Sequence, residues 1–134
     1  KDKINKSVKY RENFRPFAPS VISEKSSKYF ETRKNTNYNY MEKVIKVRKE
    51  HRNKLKGVTH LDNSARVQTV NKKDNADFHR VLEEFEKITG YPILLNTSYN
   101  INGEPIVCTP DDAISTFYNS QIDTLIIGDY LVKK

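Results

Sequence analysis

An α/β layered fold with a mixed sheet is what this sequence predicts, and three observations carry that expectation. Short apolar runs of strand length, such as Ile93-Leu94-Leu95 and Leu125-Ile126-Ile127, alternate with helical patterns along the chain. The two best helical patterns carry their own start and stop residues: Asn75 and Gly90 around one, Thr109 and Pro110 opening the other. At 134 residues the chain has the length of one domain.

Residues 1–9 read as a short helix, with Ile4 and Val8 one turn apart. Pro16 and Pro19 stop it, because each lacks an N–H and pushes its predecessor towards extended backbone. Ser20-Val21-Ile22 reads as a strand, and Ser23 as the cap of a short helix reaching about Phe30. Residues 31–40 are polar and Asn-rich, hence a loop. Met41 to Val47 alternates apolar and charged residues in the manner of a strand. The basic stretch 48–57 reads as a solvated, mobile segment. Ala65 to Val70 reads as one continuous strand, with Ala65, Val67 and Thr69 on one face.

The strongest helix is 75–89, where Phe78, Val81, Leu82, Phe85 and Ile88 form one apolar stripe. Asp74 or Asn75 caps its start, and Gly90 suits a left-handed residue just past its end. Ile93-Leu94-Leu95 follows as a buried strand, 96–105 as a polar turn, and Ile106-Val107-Cys108 as a short buried strand. Thr109-Pro110-Asp111-Asp112 opens the next helix with a cap, a proline at the first position and two acids at the positive end of the dipole. Ala113, Ile114, Phe117 and Tyr118 supply its buried face. Two strands around Gly128-Asp129 close the chain.

Composition narrows the function classes. No apolar run approaches the ~20 residues of a membrane span. The single cysteine, Cys108, excludes an internal disulfide and a thiolate zinc cluster, which is compatible with a cytoplasmic protein. The chain starts at Lys1 rather than Met and reads as a segment of a longer protein. Its net charge of +7 is uneven: residues 1–57 carry 17 Lys/Arg against 6 Asp/Glu, whereas 58–134 carry 7 against 11. A basic half of this kind can attract phosphates or nucleic acid, or simply be a lysine-rich solvated face.

Three polar clusters flank the apolar strands. Lys9-Tyr10-Arg11 with Arg15 places cations on the same side if the backbone is extended, which suits a phosphate or carboxylate; the alternative is a solvated basic face. In His60-Leu61-Asp62-Asn63-Ser64-Ala65-Arg66, an arginine in an apolar-flanked strand needs an anion if buried. His60 and Asp62 lack a third metal ligand nearby, so a structural histidine is favoured there over a metal site. In Asn96-Thr97-Ser98-Tyr99-Asn100-Ile101-Asn102-Gly103-Glu104-Pro105, Ser98 and Asn100 can donate to an anionic oxygen, and the alternative is an ordinary turn. No Gly-rich P-loop and no G-x-S-x-G elbow occurs, and no catalytic residue is assigned.

Taken together and in order, KDKINKSVKYRENFRPFAPSVI, THLDNSARVQTV, FEKITGYPILLNTSYNINGEPIVCTPDDAISTF and IIGDYLVKK resemble the carboxy-terminal domain of the nodulation-type O-carbamoyltransferases. The resemblance implies a YrdC-like twisted mixed sheet with flanking helices over residues 1–134, its first part lying before Lys1. Lys9-Tyr10-Arg11 resembles the K-x-R element of that fold. Thr97 to Pro105 resembles its T-S-A-N-x-S-G-x-P element, with Tyr99 in place of Ala and Asn102 in place of Ser. By this resemblance Lys9, Arg11, Arg15, Arg66, Ser98 and Asn100 bind ATP and carbamoyl phosphate and converge on one concave positive patch. ATP is a substrate, and Mg2+ accompanies it. Carbamoyl adenylate forms, and a preceding domain of actin-like ATPase fold, which carries the family's metal site, transfers the carbamoyl group to a hydroxyl. That domain lies outside this sequence, so the segment alone is expected to transfer nothing. The alternative is a non-catalytic nucleic-acid or anion-binding module, with Tyr10, Phe14, Phe17, Tyr29, Phe30 and Tyr38 interleaved in the basic half. On the carbamoyltransferase reading, neither nucleic acid nor membrane is a partner.

Overall fold

The computed structural model describes residues 1–10, 12, 14–34 and 36–134. It is mixed α/β and divides into two compact units, Pro16–Thr97 and Lys1–Arg15 with Ser98–Lys134.

In the unit Pro16–Thr97, strand β1 (Ala18–Ile22) is buried throughout, because β4 (Gln68–Val70) flanks it in parallel and β5 (Ile93–Asn96) antiparallel. β1 starts two residues before Ser20, and Pro19 is part of it. The proline is tolerated because β4 pairs only from Ser20 onward, so Pro19 has a neighbouring strand on one side only. Ser23 caps nothing: a 3-10 turn at Ser23–Lys25 leads into α2 (Ser26–Tyr29), and Ser26 Oγ donates back to the Ser23 carbonyl at 2.8 Å.

The run 65–70 is not one strand. β3 (Ser64–Arg66) pairs antiparallel with β2 (Val44–Lys46), while β4 joins β1, and Val67 lies between them. Partners distant in sequence draw its two halves into separate sheets, although Ala65, Val67 and Thr69 are all buried as the alternation requires.

The basic stretch 48–57 is built as turns rather than a mobile segment. 3-10 turns form at Lys49–His51 and Lys56–Val58, and Leu55 and Val58 are buried. His51 packs against the Tyr29 ring at 4.7 Å between centroids, and Arg48 Nε donates to the Ser27 carbonyl at 2.7 Å. Arg48, Lys49, Lys54 and Lys56 are exposed and Arg52 is half-buried, while the spaced apolar residues anchor the backbone.

Helix α3 (Ala76–Thr89) has the caps its sequence dictates. Asn75 accepts the Phe78 amide at 3.0 Å, and Gly90 takes the left-handed conformation at φ 78°. Leu82 packs with Ile22 and Val70 to form the core cluster, against which Phe78 and Leu94 lie. The stripe is only partly used, since Val81 and Ile88 are exposed. A residue outside it, His79, is buried, with Nε2 3.3 Å from Glu24.

In the unit Lys1–Arg15 with Ser98–Lys134, α1 (Asp2–Ile4) runs into a π-turn at Asn5–Lys9, which Tyr10 ends in the left-handed region at φ 47°. Residues 106–108 form no strand, and Cys108 is exposed rather than buried. Helix α4 (Pro110–Asn119) opens on a full capping box: Thr109 Oγ1 accepts the Asp112 amide and Asp112 accepts the Thr109 amide. Its buried face is Ala113, Thr116 and Phe117; Ile114 and Tyr118, assigned to that face from sequence, are exposed. β6 (Thr124–Ile127) and β7 (Tyr130–Lys133) form an antiparallel hairpin across Gly128-Asp129, with Gly128 at φ 54°. Lys134 donates to the Ser120 carbonyl and places its ammonium 4.8 Å from the Phe117 ring centre. Among the described residues, no helix is long and apolar enough to cross a membrane.

Candidate functional site

The unit Lys1–Arg15 with Ser98–Lys134 gathers polar groups from both of its segments around one ammonium. Lys9 closes the π-turn and is only 5% exposed. A lysine with its charge so far from water requires a full set of acceptors. The loop after β5 supplies them. Lys9 Nζ donates to the Ser98 carbonyl at 2.6 Å, Ser98 Oγ at 3.1 Å, the Asn100 carbonyl at 3.0 Å and Asn100 Oδ1 at 2.7 Å. An ammonium has three N–H donors, so these four oxygens use its capacity completely.

The loop is braced in turn. Ser98 Oγ donates to Asn100 Oδ1 at 2.6 Å, and Asn100 Nδ2 donates to the Glu104 carbonyl at 2.7 Å. The Glu104 amide reaches back to the Ile101 carbonyl at 3.1 Å, around Gly103 at φ 86°. Both departures from the family pattern take part. Tyr99 donates its hydroxyl to the Ala113 carbonyl in α4 at 2.7 Å, and burial pushes its phenol pKa up. Asn102 Nδ2 donates to the Tyr10 carbonyl at 3.4 Å. Ser98 lies exposed and Asn100 half-buried on this platform.

Lys9, Ser98 and Asn100, about 90 residues apart, are thus brought into direct contact. Lys9 and Tyr10 are not extended as expected from sequence: Lys9 is helical and Tyr10 left-handed. Arg11 lies outside the described residues. Arg15, in the same unit, is exposed and pairs with Glu12 at 3.5 Å. Arg66 belongs to the other unit; it is exposed on β3 opposite Val44, so the burial that would demand an anion does not arise.

In the His60–Arg66 cluster, residues 61–63 form a turn, with Asn63 at φ 64°, that leads into β3. Asp62 Oδ1 accepts the Ser64 hydroxyl at 2.5 Å and the Ser64 amide at 3.0 Å, and His60 Nδ1 sits 3.1 Å from Ser64 Oγ. The Ser64 hydroxyl and amide, with the Lys46 ammonium, hold the Asp62 carboxyl far below its ordinary pKa. Among the described residues, no group of three or more His, Cys, Asp or Glu is placed to hold a metal ion. Of the aromatics interleaved in the basic half, Phe17, Tyr29, Phe30 and Tyr38 are buried in the core, while Tyr10 and Phe14 are exposed.

What sequence reasoning missed here is the bracing. The roles of Glu104 and Asn102 pass through backbone carbonyls and leave no pattern of residue types, whereas Tyr99 carried a signal, a large phenol in a loop of small residues.

Residues 1–134 match the family described as Carbamoyltransferase C-terminus. The chain is similar to nodulation protein NolNO of Sinorhizobium fredii, 47% identical over 135 residues that cover 100% of this chain and 20% of that protein. It is similar to nodulation protein NolO of Bradyrhizobium diazoefficiens, again 47% identical over 135 residues, covering 100% of this chain and 25% of that protein. The 3'-hydroxymethylcephem-O-carbamoyltransferase of Amycolatopsis lactamdurans is 36% identical over 129 residues, 96% of this chain and 24% of that enzyme. The chain therefore spans a fifth to a quarter of the length of these relatives. With the family matched from the first residue to the last, and its K-x-R lysine seated on its S-x-N loop, the chain belongs to the carbamoyltransferase C-terminus family.

Proposed function

We propose that this chain is the nucleotide-handling part of an O-carbamoyltransferase. It binds ATP and carbamoyl phosphate and forms carbamoyl adenylate, from which the rest of the polypeptide passes the carbamoyl group to a substrate hydroxyl. The observation that carries this reading is the seating of Lys9 on Ser98 and Asn100. A buried ammonium beneath a loop leaves that loop electropositive on its outer side, which favours a phosphate there. Lys9 acts as a positioning residue, since its donors are engaged by the loop. Ser98 and Asn100 face the ligand, and Arg11 and Arg15 neutralise phosphate charge. The similarity to a named O-carbamoyltransferase supports the reaction class.

The atoms balance in three steps. Water cleaves carbamoyl phosphate to carbamate and phosphate. A carbamate oxygen then attacks the α-phosphorus of ATP and expels pyrophosphate. Finally the acceptor hydroxyl attacks the carbamoyl carbon, and AMP leaves with the bridging oxygen. Positioning and charge neutralisation are what such phosphoryl chemistry asks of a protein. Mg2+ enters with the nucleotide.

The test is pyrophosphate release by the full-length protein. It should require both ATP and carbamoyl phosphate. Ser98→Ala should reduce it roughly ten- to a hundredfold, the loss of one charge-assisted contact. Unchanged release in Ser98→Ala, or release independent of carbamoyl phosphate, rejects the proposal.

A further inference from the structure

The turn that carries Asn102 has a chemistry of its own. Asn102-Gly103 is the single Asn-Gly pair in the sequence. The matching family element has Ser in place of Asn102, and a serine has no carboxamide to lose. An asparagine is thermally labile because the backbone nitrogen of the next residue can attack its side-chain carbonyl. Three conditions promote that attack: an exposed, loosely held carboxamide, an attacking N–H that is not engaged elsewhere, and no side chain on the attacking residue.

All three meet here. Asn102 and Gly103 are exposed. The carboxamide has one long contact, from Nδ2 to the Tyr10 carbonyl at 3.4 Å. The turn closes from the Glu104 amide to the Ile101 carbonyl at 3.1 Å, and the Gly103 amide inside it has no partner among the described residues. Gly103 sits at φ 86°, and no atom beyond its chain neighbours lies within 4 Å of where a Cβ would stand, so nothing crowds the approach. Asn63-Ser64 is the contrast within the same chain. Asn63 is exposed too, but the Ser64 amide is committed to the Asp62 carboxylate at 3.0 Å.

We propose that Asn102 is a self-modification site, deamidating through Gly103 and loosening its own loop, because the fold leaves this pair unprotected. The Gly103 nitrogen bonds to Asn102 Cγ and gives its proton to solvent base. The carboxamide nitrogen leaves as ammonia, and a succinimide ring remains. Water then opens the ring on either side. Cleavage at Cγ gives aspartate; cleavage at the main-chain carbonyl carbon gives isoaspartate, whose backbone runs through Cβ and Cγ. Either product carries a carboxylate and has lost the donor to Tyr10. Isoaspartate also lengthens the turn that holds Asn100 through the Glu104 carbonyl. The modification uses no step of carbamoyl chemistry and stands whether or not the loop binds phosphate.

The test ages the full-length protein in warm, mildly alkaline buffer, native in one arm and unfolded in guanidinium chloride in the other. Both are digested at mildly acid pH, and fragment masses locate each exchange of NH2 for OH. Asn63 should convert roughly ten- to a hundredfold slower in the native arm than in the unfolded one, the factor for the charge-assisted bond that the Ser64 amide must first release. Asn102 should convert at close to the same rate in both arms. Amide exchange across 98–104 should rise as the native protein ages, and stay flat in Asn102→Gln, whose longer side chain closes a ring far more slowly. Native protection of Asn102 matching that of Asn63, or an equal age-dependent rise in Asn102→Gln, overturns the proposal.

Discussion

The two compact units rest on different physics. Pro16–Thr97 is held by apolar contact: a fully buried central strand and a cluster of Ile22, Val70 and Leu82. Lys1–Arg15 with Ser98–Lys134 has apolar groups too, with Phe117 fully buried, but its loop 98–104 is organised around a single buried ammonium. Apolar burial is non-directional and scales with area. A charge-centred node is directional, and each oxygen it holds is left costly if the charge goes. The first kind of construction gives a scaffold that tolerates substitution of similar volume. The second fixes one loop in one conformation, which is what a binding loop requires.

The sharpest way to break this comparison is to remove one element from each unit. Leu82→Ala deletes a fully buried side chain from the apolar cluster and should cost about 2–5 kcal/mol, read as a lower urea midpoint. Lys9→Met keeps the apolar stem but removes the donors. It should cost about 2–3 kcal/mol and speed amide exchange across residues 98–104. A Lys9→Met protein with unaltered exchange in that loop would show that the loop holds its shape without the charge.

These two side chains also show what the sequence made legible. Leu82 could be read locally, because its helix has 3.6-residue periodicity and both caps are written beside it: Asn75 before, Gly90 after. The capping box at Thr109 was legible for the same reason. Lys9 was legible as a motif but not as geometry. Its conformation follows from acceptors about 90 residues later, and the expected extended backbone turned out helical. The run 65–70 failed similarly, since its alternation was correct while its division between two sheets depends on Val44–Lys46 and Ala18–Ile22. In 48–57 charge hid the anchors; Leu55 and Val58, three residues apart, were the available signal.

A smaller effect concerns caps and acid. Thr109→Ala removes the acceptor of the Asp112 amide and should cost about 1 kcal/mol. Each unit also braces a turn or cap with a carboxylate held below its ordinary value: Asp112 through the Thr109 hydroxyl and the Thr109 and Cys108 amides, Asp62 through Ser64 and Lys46. A carboxyl with a lowered folded pKa contributes stability that is present above the unfolded value, about 3.9, and lost as pH falls through the folded value. Acidification below about pH 4 should therefore weaken both turns progressively, with full loss only below the lowered folded values. Amide exchange at Thr109 and Ser64 should rise together with acid after correction for intrinsic rates. A rise at one site alone would tie acid sensitivity to one unit.

The smallest expected effect separates structure from function within one unit. Arg15 and Lys9 both come from the basic cluster ahead of Pro16, yet their surroundings are opposite. Lys9 is buried against loop oxygens, whereas Arg15 is 55% exposed and meets Glu12, itself 59% exposed, at 3.5 Å. An exposed pair of that kind is screened by water and salt and contributes little. Arg15→Ala should shift the urea midpoint by no more than about 0.5 kcal/mol in equivalent stability. If Arg15 faces phosphate as proposed, pyrophosphate release by the full-length protein should still fall several-fold, and the loss should grow as salt is lowered. A fall in stability matching that of Lys9→Met would instead place Arg15 in the node's framework. Unchanged stability together with unchanged release would remove Arg15 from the proposed site and leave Ser98 and Asn100, seated on Lys9, as its remaining proposed anion-binding residues in this unit.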